Sequence, residues 1–90
     1  MAMYMIGYDL NKAGKNYDGL IKRIKEISAN WWHHLDSTWI IDCNLTSVAI
    51  RDALRLHIDS DDELLVVALK SEGAWAGFNA EGSNWLKQNL

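Results

Sequence analysis

The chain has no proline, one cysteine and one phenylalanine in 90 residues. With Cys43 as its single thiol it can form no intramolecular disulfide and no cysteine-rich zinc centre, so stability has to come from packing. Long apolar runs are also missing. The longest, such as Leu64–Leu69, are six residues, whereas a membrane-spanning helix needs about 20. The opening residues, Met1–Tyr8, carry no basic segment and run directly into Asp9, which is unlike a signal peptide. No linker, internal repeat or low-complexity stretch interrupts the chain. These absences lead us to expect a soluble, cytoplasmic protein that does not engage a membrane. Basic charge is scarce as well. Nine Lys and Arg against twelve Asp and Glu leave a net charge of −3, whereas dedicated nucleic-acid-binding domains are usually basic.

What is present is a folding composition. Hydrophobic residues make up 49% and charged residues 23%, the reverse of a disordered tail. A domain of this length buries only about 60–65% of the surface its unfolded chain exposes. Five tryptophans and three tyrosines can offset that thin core or cover a subunit interface, because each buried aromatic removes roughly 150–250 Å² from water. Charge is unevenly spread. Residues 1–30 hold Lys12, Lys15, Lys22, Arg23 and Lys25 against Asp9, Asp18 and Glu26, a balance of +2, and the remainder carries −5. A phosphate-facing surface is therefore expected on the N-terminal third.

The pattern along the chain predicts seven elements. Met3–Asp9 reads as a strand followed by the polar loop Asn11–Asn16. Tyr17, Leu20, Ile21, Ile24 and Ile27 fall at helical spacing behind Asn16 as a candidate N-cap. Trp31–Leu35 and Thr38–Cys43 form a hairpin about Asp36-Ser37. A second helix follows over Ser47–Ile58, then the acidic turn Asp59–Asp62, the strand Glu63–Leu69 and a glycine-bearing tail ending in a helical turn from Ser83. The order β-α-β-β-α-β predicts an α+β, ferredoxin-like sandwich over residues 1–69, an antiparallel sheet with two helices on one face. Residues 70–90 form a C-terminal extension. Because Leu64–Leu69 is apolar throughout, the second face of the sheet also needs cover. Trp75, Phe78, Trp85 and Leu86 could supply it from the same chain, or a second subunit could, which makes a homodimer joined by sheet faces or strand edges an expectation.

Asp9, at the carboxyl end of the first strand, is the leading candidate for chemistry. It either accepts hydrogen bonds from its own loop or serves as a Mg²⁺ ligand, the second ligand coming from another copy of the chain. Lys12 and Lys15 flank Gly14 before a helix and are candidate phosphate ligands, but the spacing is not that of a Walker loop. His33 and His34 are adjacent on a strand and so point to opposite faces, which argues against a shared metal ion. His57 reads as structural. Asp59, Asp61 and Glu63 alternate like a calcium loop but lack its glycine and distal glutamate, and read as a turn. Trp31, Trp32 and Trp39 have no basic groove around them in sequence, which favours packing over base stacking. Cys43 has no neighbouring base.

Three stretches carry a resemblance. Tyr8-Asp9-Leu10, the hairpin Leu35-Asp36-Ser37-Thr38-Trp39-Ile40-Ile41, and Asp61-Asp62-Glu63-Leu64-Leu65-Val66-Val67 resemble, in order and over about residues 3–69, the small CRISPR-associated spacer-acquisition nucleases. In style the chain is closer still to the bacterial proteins labelled SinR-like, which its ending Ser83-Asn84-Trp85-Leu86-Lys87 also resembles, and it is more distantly similar to the virulence-associated protein D toxins. The resemblance implies a ferredoxin-like homodimer. For the nuclease members it implies paired first-strand aspartates that hold Mg²⁺ at the dimer interface for phosphodiester hydrolysis. Asp9 matches that aspartate as catalytic residue and metal ligand, and Ser37 corresponds loosely to a hairpin serine.

Two functions follow as expectations. One is a Mg²⁺-dependent nuclease or nucleic-acid-binding dimer acting through Asp9. The other is a non-catalytic module on the same dimer that binds a protein partner at its sheet edges, or a small anionic ligand at Lys12 and Lys15.

Overall fold

The computed structural model describes residues 2–10 and 17–90. Strand β1 (Ala2–Asp9) alternates cleanly: Tyr4 and Ile6 are buried on one face, and Met3, Met5, Gly7 and Asp9 lie on the other. Helix α1 (Asp18–Ile27) turns Leu20 and Ile24 inward and carries Asp18 in its first turn and Lys25 in its last, both favourable to the helix dipole. The candidate cap Asn16 lies outside the described residues. The hairpin strands β2 (Asn30–Leu35) and β3 (Thr38–Cys43) meet at the two-residue turn Asp36-Ser37. Helix α2 (Ser47–Arg55) starts where the Thr46 hydroxyl accepts the Ala49 N–H at 3.1 Å. It is shorter than its apolar spacing suggests, because the His57 N–H turns back onto the Leu54 carbonyl at 3.0 Å. Strand β4 (Glu63–Ala68) completes the sheet, and helix α3 (Ala80–Asn89) follows the tail.

The sheet runs β2-β3-β1-β4 with every neighbouring pair antiparallel. That order is the one βαββαβ chains adopt in the ferredoxin-like arrangement, and the fold class expected from the sequence is the one observed. One face of the sheet packs on α1 and α2. Its core joins Tyr4 and Ile6 to Trp39, Ile41 and Cys43 of β3, with Leu20, Ile24, Ile50 and Leu54 from the helices. Trp39 is completely buried there, and its indole N–H donates to the Tyr8 hydroxyl at 3.0 Å.

The opposite face is covered in part by the tail of the same chain. Trp32 of β2 meets Phe78 edge-on at 4.9 Å and donates its indole N–H to the Gly82 carbonyl at 3.2 Å. Trp75, Phe78 and Leu86 line a hollow with Met5 and Ile40. Trp85 differs from expectation. It sits at the β2 edge, donating to the Asn30 side chain at 2.9 Å. The tail ends in a full helix rather than one turn from Ser83, because the Asn79 side chain accepts the Gly82 N–H at 2.9 Å and starts α3 three residues earlier. This cover extends over β2, β3 and Met5 of β1, whereas the apolar run that called for it belongs to β4, whose Leu65 remains 54% exposed. Among the described residues no helix is long and apolar enough to cross a membrane.

Gly82 is where α3 comes closest to the sheet. A Cβ there would lie 3.3 Å from three atoms of the His34 ring. Gly82→Val should therefore push α3 off β2 and cost about 1–3 kcal/mol, read as a lower urea midpoint. Unchanged stability would show that α3 docks loosely.

Candidate functional site

The end of β1 is held by its neighbours on both sides. On one side the Tyr8 N–H donates to the Ser37 carbonyl at 3.1 Å, which fixes the β2–β3 turn against the end of the strand. On the other, β4 pairs in a register that sets Asp9 opposite Glu63 and Gly7 opposite Leu65. Directly paired residues of an antiparallel sheet share a face, so both carboxylates project from the face turned away from α1 and α2. Gly7 lies between them and the turn, and nothing stands within 4 Å of where its Cβ would be. The result is an open concavity of about 420 Å³ bordered by Asp9, Glu63, Ser37, Thr38, Gly7 and Leu65.

Asp9 and Ser37, far apart in sequence, thus border the same hollow. Lys12 and Lys15 lie outside the described residues. Sequence spacing groups Glu63 with Asp59 and Asp61 and gives no sign of its pairing with Asp9. The signal for it was the predicted topology, since the end of β1 must meet the start of β4 when these strands are antiparallel neighbours.

Two like charges directly opposite one another destabilise a sheet by a few tenths to about 1 kcal/mol. A divalent cation held by both carboxylates would offset that cost. Mg²⁺ is commonly held by one or two carboxylates while keeping several waters, and Asp9 with Glu63, both exposed beside the hydroxyl-bearing Ser37 and Thr38, fits this donor set.

A second acidic group lies in the turn before β4. Carboxylate oxygens of Asp59, Asp61 and Asp62 all lie within 4.8 Å of one another, so the three could hold a metal ion. The sequence reading takes Asp59–Asp62 as a plain acidic turn, and the fold gathers three of its carboxylates closely enough to ligate one ion. Asp62 also has a structural task. It accepts the Tyr17 hydroxyl at 3.0 Å and the Asp59 N–H at 2.8 Å, closing the turn and tying it to the approach to α1.

The other candidates have packing roles. The His33 ring stacks on Trp39 at 3.8 Å, while His34 lies against Trp32 at 5.2 Å, on opposite sides of β2 as expected. His57 is half-buried against Gly19 of α1, and Cys43 is buried, its sulfur accepting the Leu45 N–H at 3.4 Å. In comparisons with known proteins, neither a family model nor a solved structure matches the chain.

Proposed function

We propose that the protein is a metal-dependent phosphodiesterase acting on nucleic acid, with Asp9 as its central ligand and Mg²⁺ as its metal, and that it works as a homodimer. The observation that carries this reading is the cross-strand pair of Asp9 and Glu63 beside Ser37 at the rim of one hollow. Such a hollow repels a phosphodiester when its carboxylates are bare, so binding there calls for a cation. When bound, the ion would act as a Lewis acid on the phosphoryl oxygen and lower the pKa of a coordinated water. Asp9 and Glu63 would fix its position from two adjacent strands, a rigid mount. Ser37, held by the Tyr8–Ser37 backbone bond, would offer a hydroxyl to a substrate oxygen.

The dimer reading is supported by the uncovered part of the sheet. Leu65 is 54% exposed on the same rim, and a second copy seated there would bury it and bring a second Asp9 towards the first. The resemblance of Tyr8-Asp9-Leu10 to the CRISPR-associated and SinR-like proteins supports the same assignment. The test is incubation of purified protein with labelled RNA and DNA in Mg²⁺ or Mn²⁺. Cleavage that disappears in Asp9→Ala is the expected result. No cleavage of either polymer, or equal cleavage by the variant, would overturn the reading.

A further inference from the structure

At the far edge of the sheet from Asp9, β2 presents a second cleft, about 460 Å³, bordered by Asn30, Trp31, His33, Glu81 and Trp85. Trp31 is the residue of interest. It is 40% exposed, the most exposed of the chain's tryptophans in a set otherwise devoted to packing. Trp39 stands tilted against its ring at 5.4 Å, and Trp39 is in turn stacked by His33, so the indole is propped from the core side. The Lys25 ammonium lies over the same ring, 4.9 Å from its centroid. Lys22 is one helical turn before Lys25 and also exposed, which places both on one side of α1. The neighbouring Arg23 is held by Glu26 at 3.6 Å.

We infer that this edge is a base-stacking platform for single-stranded nucleic acid, with Trp31 taking an unpaired base and Lys22 and Lys25 its flanking phosphates. The inference rests on the phosphodiesterase reading for its substrate class and adds a contact remote from the Asp9 hollow. A propped, half-exposed indole beside flexible cations is the combination that binds single strands without reading their sequence. Trp32 and Trp39 are buried in packing as expected, whereas Trp31 gains a lysine against its ring, because the fold brings α1 over β2. A duplex is the poorer fit, because its bases are already stacked and would offer the indole nothing. An added peptide strand is the poorer fit too, because the register of β2 breaks between Trp32 and Leu35 and the edge is irregular. Lys25 has a flexible four-carbon stem, so its ammonium can leave the ring for a phosphate when a base arrives.

The experiment is fluorescence anisotropy of short labelled oligouridylate, oligothymidylate and a blunt DNA duplex with the full chain. Using EDTA makes binding independent of the Asp9 site. Single strands should bind more tightly than duplex, Trp31→Ala should weaken them about tenfold, and Trp31→Phe should restore most of the loss. Lys25→Gln should lower the salt dependence by about one counterion. Wild-type protein that ignores single strands, or a Trp31→Ala variant that is folded by circular dichroism and binds as wild type, would overturn the inference. So would a Trp31→Phe variant no better than alanine. Failure of the phosphodiesterase reading looks different: tight single-strand binding in EDTA with no metal-dependent cleavage.

Discussion

Trp39→Ala should lower the unfolding free energy by about 3–5 kcal/mol, the largest loss expected from any single truncation here. The indole is completely buried at the centre of the helix-facing core, so its removal leaves a large cavity among close-packed side chains. Two further contacts go with it. The Tyr8 hydroxyl loses the indole N–H it accepts, and His33 loses the ring it stacks on at 3.8 Å. Small domains have about 5–15 kcal/mol in total, and one this short belongs towards the lower end, so the variant should be largely unfolded or close to it. Equilibrium urea denaturation reads the effect directly. Trp39→Phe keeps part of the volume and should cost much less. If alanine costs under about 1 kcal/mol, the core is not organised around Trp39.

Asp9→Asn should act in opposite directions on activity and stability. The substitution keeps the side chain's shape and the β1–β4 register while removing one of two carboxylates set face to face. Without metal, relief of that repulsion should leave the protein as stable as wild type or more so by a few tenths to about 1 kcal/mol. Cleavage should fall at least about a hundredfold, because the cation loses a charged ligand on which both its affinity and its placement depend. Glu63→Gln should show the same pair of signs, and Ser37→Ala a smaller loss of cleavage with little change in stability. A variant that loses stability and activity together would mean that Asp9 is structural, holding its own loop. Local rules are expected to be broken at functional sites, and a like-charge pair in register is such a breach.

The fold was legible through short-range signals. The aromatic-rich run Met3–Asp9 ahead of a polar loop, the helical stripe of Leu20 and Ile24, and the Asp36-Ser37 turn each acted over a few residues, and the βαββαβ order then determined which strands could be neighbours. Asp9 stood out because it ends a strand before a polar loop. Glu63 did not, because its significance arises from a partner 54 positions earlier and appears only in the β1–β4 register. The tail was harder still. Its helix begins at a capping bond from Asn79 and contains Gly82, a poor helix residue required by the closeness of His34, so local preference pointed to a later start. The tryptophans divide in a way composition cannot show. Trp39 fills the core, Trp32 pins α3, and Trp31 is left half-exposed under Lys25 because the hairpin edge and α1 converge there.

Mn²⁺ titration followed by electron paramagnetic resonance tests the central assignment most directly, using wild type, Asp9→Asn and Asp61→Asn. Mn²⁺ stands in for Mg²⁺ at carboxylate sites, and the third protein separates the Asp9–Glu63 hollow from the acidic turn. Wild type and Asp61→Asn should both take up the ion that Asp9→Asn fails to hold. Mn²⁺ uptake by Asp9→Asn equal to that of wild type would contradict the account.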